Sequence, residues 1–143
     1  MRNAFLSSVV ILLSVVSARV YAGDTGEDFD WSRYAEEQTI TAITTDDGGS
    51  ARETTIWIVV VVGDAFIRTG NTRWGANVER QPDIALRIAD EEIPVRVHFI
   101  TDDAMRGRVI EAFRAKYGLM DLLISPFRGG RPKIMNLAGR GER

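Results

Sequence analysis

The stretch Arg68-Thr69-Gly70-Asn71-Thr72-Arg73-Trp74-Gly75 holds the side chains of this chain best suited to chemistry. Arginine grips a phosphate through two parallel N–H donors, and glycine lets backbone amides approach an anion closely. Trp57 and Trp74 could stack on a planar ring, so the combination suits a flat, negatively charged ligand. The segment is not a P-loop, because no Lys-Ser or Lys-Thr follows its glycines. It also lacks the glycine spacing and the following helix of a dinucleotide fingerprint. A solvated turn, with its arginines paired to Glu79 or Asp64, explains the same residues, and pattern alone favours that reading.

The remaining candidates are weaker. His98 is the sole histidine, and histidine is the residue type most often used as a general base. It falls on the polar side of a strand, and neither Ser50 nor Ser125 sits in a nucleophile elbow, so a solvent-facing residue is the better reading. Asp46-Asp47, Asp90-Glu91-Glu92 and Asp102-Asp103 fall at turns or a helix start, where carboxylates accept from backbone amides. None has the ligand pattern of a calcium loop, and no metal is expected. Arg128-Gly129-Gly130-Arg131-Pro132-Lys133 could contact phosphate or RNA, but on an acidic chain a plain loop is preferred.

These residues must be positioned by a mainly β framework. Asp30 or Ser32 caps a short helix to about Glu37, and Thr39–Thr45 alternates as a strand before the turn at 46–50. The run Thr54–Val62 is apolar on both faces and β-branched, which predicts one strand buried on both sides or lining a closed barrel. Gly63-Asp64 turns into Ala65–Thr69. After a loop, 84–88 and 93–100 form a second hairpin, with Val95, Val97 and Phe99 on one face. Asp102 caps a helix over 103–117, stopped by Gly118, whose Met105, Val109, Phe113 and Tyr117 make an apolar stripe. Residues 119–132 read as irregular and 133–137 as a final strand. The order β-β-β-β-β-α-β predicts an antiparallel barrel with a covering helix.

The 143 residues are 45% hydrophobic and 27% charged, with no cysteine, which excludes disorder, a disulfide scaffold and thiol chemistry. Residues 1–22 have the layout of a signal peptide: Arg2, an uncharged apolar run, then Val20-Tyr21-Ala22 before Gly23. The run is short of the roughly 20 residues that a membrane span needs, although an uncleaved anchor is the competing reading. Export to the periplasm or medium is therefore expected. Cleavage removes Arg2 and Arg19 and takes the net charge from −2 to −4, a poor match for nucleic acid. The expected organisation is a signal peptide (1–22), a flexible acidic leader (23–30), one domain (31–137) and a polar tail (138–143).

Four phrases carry a family resemblance: Glu53-Thr54-Thr55-Ile56-Trp57, Gly63-Asp64, Phe66-Ile67-Arg68-Thr69 and Ala112-Phe113-Arg114-Ala115-Lys116-Tyr117-Gly118. They are similar to phrases of bacterial proteins grouped as domain of unknown function 2255, which resemble the pyridoxamine-phosphate-oxidase-like, FMN-binding split-barrel superfamily. The chain departs from the pattern at Thr55, where the family has proline, and at Trp74-Gly75-Ala76-Asn77, where it has an aromatic-rich stretch. The resemblance implies a six-stranded antiparallel split β-barrel, a homodimer, and flavin mononucleotide (FMN) or a deazaflavin as cofactor. It implies that Arg68, Thr69, Gly70 and Arg73 hold the cofactor phosphate, with Trp57 and Trp74 beside the ring. A fold does not fix an activity. Three readings follow: a flavin- or deazaflavin-dependent oxidoreductase, a non-catalytic module for a planar anionic small molecule, and a structural dimer without cofactor.

Overall fold

The computed structural model describes residues 29–124 and 130–139. Residues 1–22, read as the signal peptide, lie outside the described residues, as do 23–28 of the leader and 140–143 of the tail. The β-branched runs form seven strands: β1 (Ile40–Thr45), β2 (Ala51–Ile56), β3 (Val59–Val61), β4 (Asp64–Thr69), β5 (Asp83–Ile88), β6 (Glu91–Phe99) and β7 (Lys133–Gly139). Three helices accompany them: α1 (Arg73–Arg80), α2 (Asp103–Tyr117) and α3 (Leu119–Ile124). A single 3-10 turn, Trp31–Tyr34, comes first, with the Asp30 carboxylate accepting from the Ser32 amide. Phe29, assigned to the leader by sequence, packs its ring 4.4 Å from that of Trp31.

The strands make one antiparallel sheet in the order β2-β1-β5-β6-β7-β4-β3. Strands β2 and β3 lie at opposite edges, yet only Trp57 and Ile58 separate them in sequence. The sheet must curl until its edges come close, which gives the half-barrel of a split-barrel fold. The single strand expected over Thr54–Val62 is therefore broken, and the strands number seven rather than six. A two-residue corner lets one apolar run serve both edges, which no straight strand can do.

A corner loses ladder hydrogen bonds, and buried backbone groups need partners. The C-terminal end of α2 supplies them. The Ile58 amide donates to the Tyr117 hydroxyl at 3.1 Å, and the Ile58 carbonyl accepts from the Lys116 ammonium at 2.9 Å. The Tyr117 hydroxyl lies 2.7 Å from both the Gln38 and Ile58 carbonyls, so its proton can serve either. Burial pushes the Tyr117 phenol pKa up and the Lys116 ammonium pKa down.

Two apolar layers result. Inside the curl, Ile40, Ile67, Leu86, Val95 and Leu137 pack with Trp31 and Trp74. Outside it, Val59, Phe66 and Ile134 meet Val109 and Phe113 of α2, on the stripe expected from sequence. Of the three residues expected on one face of β6, Val95 and Val97 are buried, and Phe99 is 38% exposed where the strand runs out.

Both tight hairpins use left-handed residues, as two-residue turns between twisted strands require. Ala89 and Asp90 join β5 to β6, and Val62 (φ 51°) with Gly63 joins β3 to β4. Val62 is 91% exposed. Two further corrections concern helices. The loop expected after β4 contains α1, capped by Thr72, and the irregular stretch 119–132 contains α3. A helix does follow Gly70 after all; its low-propensity Gly75 and Asn77 conceal it in the sequence.

Removing the corner's hydroxyl should leave the Ile58 amide without a buried partner. Tyr117→Phe is expected to lower stability by about 1–3 kcal/mol in denaturant melts. An unchanged midpoint would show that the corner holds without this clamp.

A candidate ligand cleft at the barrel corner

Strand β4 is flanked by β3 and β7, and every residue from Ala65 to Thr69 is buried. Arg68 is thus carried into the protein, where its guanidinium pairs with the Asp121 carboxylate of α3 and lies 4.1 Å over the Phe113 ring. Both side chains of the pair are only 4% exposed. Burial of a charge is tolerable only with close compensation, so this contact fixes α3 on the barrel. Of the partners proposed from sequence, Glu79 meets Lys133.

A cleft of about 260 Å³ opens at the corner between β2 and β4. Trp57 and Thr55 line it from the corner, Arg68, Thr69 and Gly70 from the end of β4, and Thr72 and Trp74 from the start of α1. Trp57 is half-buried and stacks on Tyr117, with ring centroids 4.2 Å apart and planes 4° from parallel. Trp74 is buried in the barrel core. The Thr69 and Thr72 hydroxyls are 2.6 Å apart, and Thr72 also accepts from the Gly75 amide at 3.1 Å as the cap of α1. Gly75 is needed for this approach, since a Cβ there would lie 2.7 Å from Thr69 Cγ2 and 3.0 Å from Thr72 Oγ1.

Five of the six residues singled out from sequence therefore line one cleft: Trp57, Arg68, Thr69, Gly70 and Trp74. Arg73 does not. It is exposed on the first turn of α1 and lines a separate hollow with Asp46, Asp47, Gly48 and Asn77. There the Arg52 guanidinium and the Asn77 amide hold the Asp46 carboxyl down at about 2. The two guanidinium groups do not converge, because the helical turn after Thr72 directs Arg73 away from the end of β4. His98 is exposed on β6, as its strand position implies.

Sequence reasoning missed Asp121. Its signal was present as one carboxylate within the apolar run Leu119-Met120-Asp121-Leu122-Leu123. The polar residue of that run faces inward, while Leu119, Met120, Leu122 and Leu123 are 55–70% exposed.

Taking away one member of the buried pair should strand the other charge. Asp121→Ala is expected to cost about 3–5 kcal/mol of stability. Combining Arg68→Met with Asp121→Leu should recover most of it, as measured in a double-mutant cycle by denaturant unfolding. A double variant as unstable as Asp121→Ala would contradict the charge-compensation account.

The fold recurs in solved structures. HutZ, the heme storage protein of Vibrio cholerae, superposes with a TM-score of 0.61 at 14% identity, covering 78% of this chain and 88% of that one. An F420-H2 dependent reductase, FDR-A, gives 0.58 at 13% identity, covering 71% and 94%. A domain-swapped dimer gives 0.57 at 13% identity, covering 71% and 80%. At such identities the likeness is one of fold. No curated protein matches the chain. Residues 28–127, more than two thirds of the sequence, match the family described as uncharacterized protein conserved in bacteria (DUF2255), and the chain belongs to that family.

Proposed function

We propose that the protein is an exported split-barrel oxidoreductase that holds FMN or a deazaflavin in the corner cleft. The observation that carries this reading is the meeting of an indole, paired hydroxyls and a buried guanidinium in one hollow. Support also comes from the fold shared with a reductase, and for export from the signal-like residues 1–22. When bound, the flavin ring supplies the hydride chemistry, and the chain supplies orientation and electrostatics.

The residues fit such a group. Trp57 stacks on Tyr117 and also lines the cleft, which puts an indole beside any ring held there. Thr69 and Thr72 share one proton between their oxygens and keep the second to donate to a phosphate. The Gly70 backbone lies at the same end of the cleft. Arg68 lines the cleft with its charge already largely balanced by Asp121, which lowers what it can offer a phosphate. This compensation favours a second reading, a non-catalytic module that holds a planar ligand of low charge.

Titrating FMN into the purified protein and following ring fluorescence distinguishes the readings. Saturable quenching is expected, weakened about tenfold by Thr69→Val, the equivalent of one hydrogen bond to a charged group. Trp57→Ala should weaken it as well, whereas Arg73→Ala should not. Reduction of the bound ring by a nicotinamide donor would distinguish the oxidoreductase from the binding module. Absence of quenching would remove FMN as the ligand of the cleft.

The exposed leucines of α3 favour a homodimer in which a second copy covers them. Contiguous apolar surface of this kind marks an interface, and one similar structure is a domain-swapped dimer. Leu119→Glu with Leu122→Glu is expected to halve the mass found by sedimentation. A wild-type monomer would rule the dimer out.

A further inference from the structure

We infer that a hollow of about 290 Å³ between the start of α2 and the start of β7 binds a small oxyanion, a phosphate group, independently of the corner cleft. Its floor is Arg106, which is only 9% exposed. Its guanidinium donates to two neutral acceptors, the Ile100 carbonyl at 3.2 Å and the Pro132 carbonyl at 2.7 Å. Among the described residues no carboxylate pairs with it, and its Nε has no acceptor. The contrast with Arg68 is direct, since both guanidinium groups are buried but only Arg68 has an acid beside it. A buried charge without a counter-charge is costly, and an anion above the floor would supply one.

The walls suit that anion. Arg131, Lys133 and Thr101 line the hollow together with Arg106, so its border is rich in the cationic and hydroxyl donors that an oxyanion takes. Arg131 is tied to Asp103 at 2.5 Å and Lys133 to Glu79, but these are solvent-exposed pairs, which contribute little and exchange readily. The third nearby acid, Asp102, is engaged in capping α2 through the Met105 amide at 2.7 Å. All three carboxylates stand in water, where their charge is screened from Arg106. The phosphate could be free or the head of a small metabolite.

Calorimetric titration of the purified protein in phosphate-free buffer tests the site, with inorganic phosphate and glycerol phosphate as probes and sodium chloride at matched ionic strength as the control. Saturable binding of either phosphate probe, and none of chloride, is expected. Preference for inorganic phosphate would indicate a free ion, and preference for glycerol phosphate an esterified one. The pair Arg131→Ala and Lys133→Ala should weaken binding at least tenfold. Arg131→Ala alone, at an exposed position, should weaken it measurably and serves if the pair does not fold. Arg73→Ala removes a cation from a different hollow and should change nothing. No saturable binding of either probe would overturn the inference, as would binding that survives loss of Arg131 and Lys133, or that falls equally with Arg73→Ala.

Discussion

Trp57 and Ile58 carry the chain from one edge of the sheet to the other, and most of the molecule is arranged around that crossing. A seven-stranded antiparallel sheet whose edges are joined by two residues has to curl. The curl creates an inside for Ile67, Leu86 and Leu137 and an outside on which α2 lies. It also leaves a short stretch of backbone without ladder partners, and α2 ends where Lys116 and Tyr117 can satisfy it. The covering helix is therefore part of the barrel's closure. The same crossing sets the Trp57 ring at the mouth of the cleft, so closure and candidate site share a residue.

Buried charge is the second organising term. Arg68 and Arg106 are both drawn inside by the elements that carry them, and the chain treats them differently. Arg68 receives Asp121 from α3, which ties a six-residue helix to the barrel and leaves that helix's leucines facing outward. Arg106, among the described residues, receives only carbonyls. A helix as short as α3 has little stability of its own, so its seat depends on tertiary contacts, the buried Arg68–Asp121 pair among them.

Much of this was legible in the residues. The β-branched runs marked the strands, and Asp102 and Gly118 marked both ends of α2 to the residue, because caps are local chemistry that tertiary packing seldom overrides. The corner was not legible: a run apolar on both faces looks the same whether it pairs along one edge or passes between two. The short helices escaped for another reason. Thr72 and the Trp74/Val78 spacing were the only signals for α1, and Gly75 within it argued the other way. For the candidate site, the residue types were readable but their directions were not. Arg68 and Arg73 look equivalent in sequence, and only the helical turn that starts at Thr72 separates them. Asp121 was invisible as a partner because its contact with Arg68 spans 53 positions.

The β3–β4 hairpin tip offers a different lesson. Val62 holds a left-handed backbone that a β-branched side chain tolerates poorly, by roughly 1–2 kcal/mol, and it stands almost wholly in solvent. Neither core nor cleft depends on its isopropyl group. Heat tolerance in this lineage therefore has room to drift upward through asparagine or glycine at one peripheral codon, without any change to ligand chemistry.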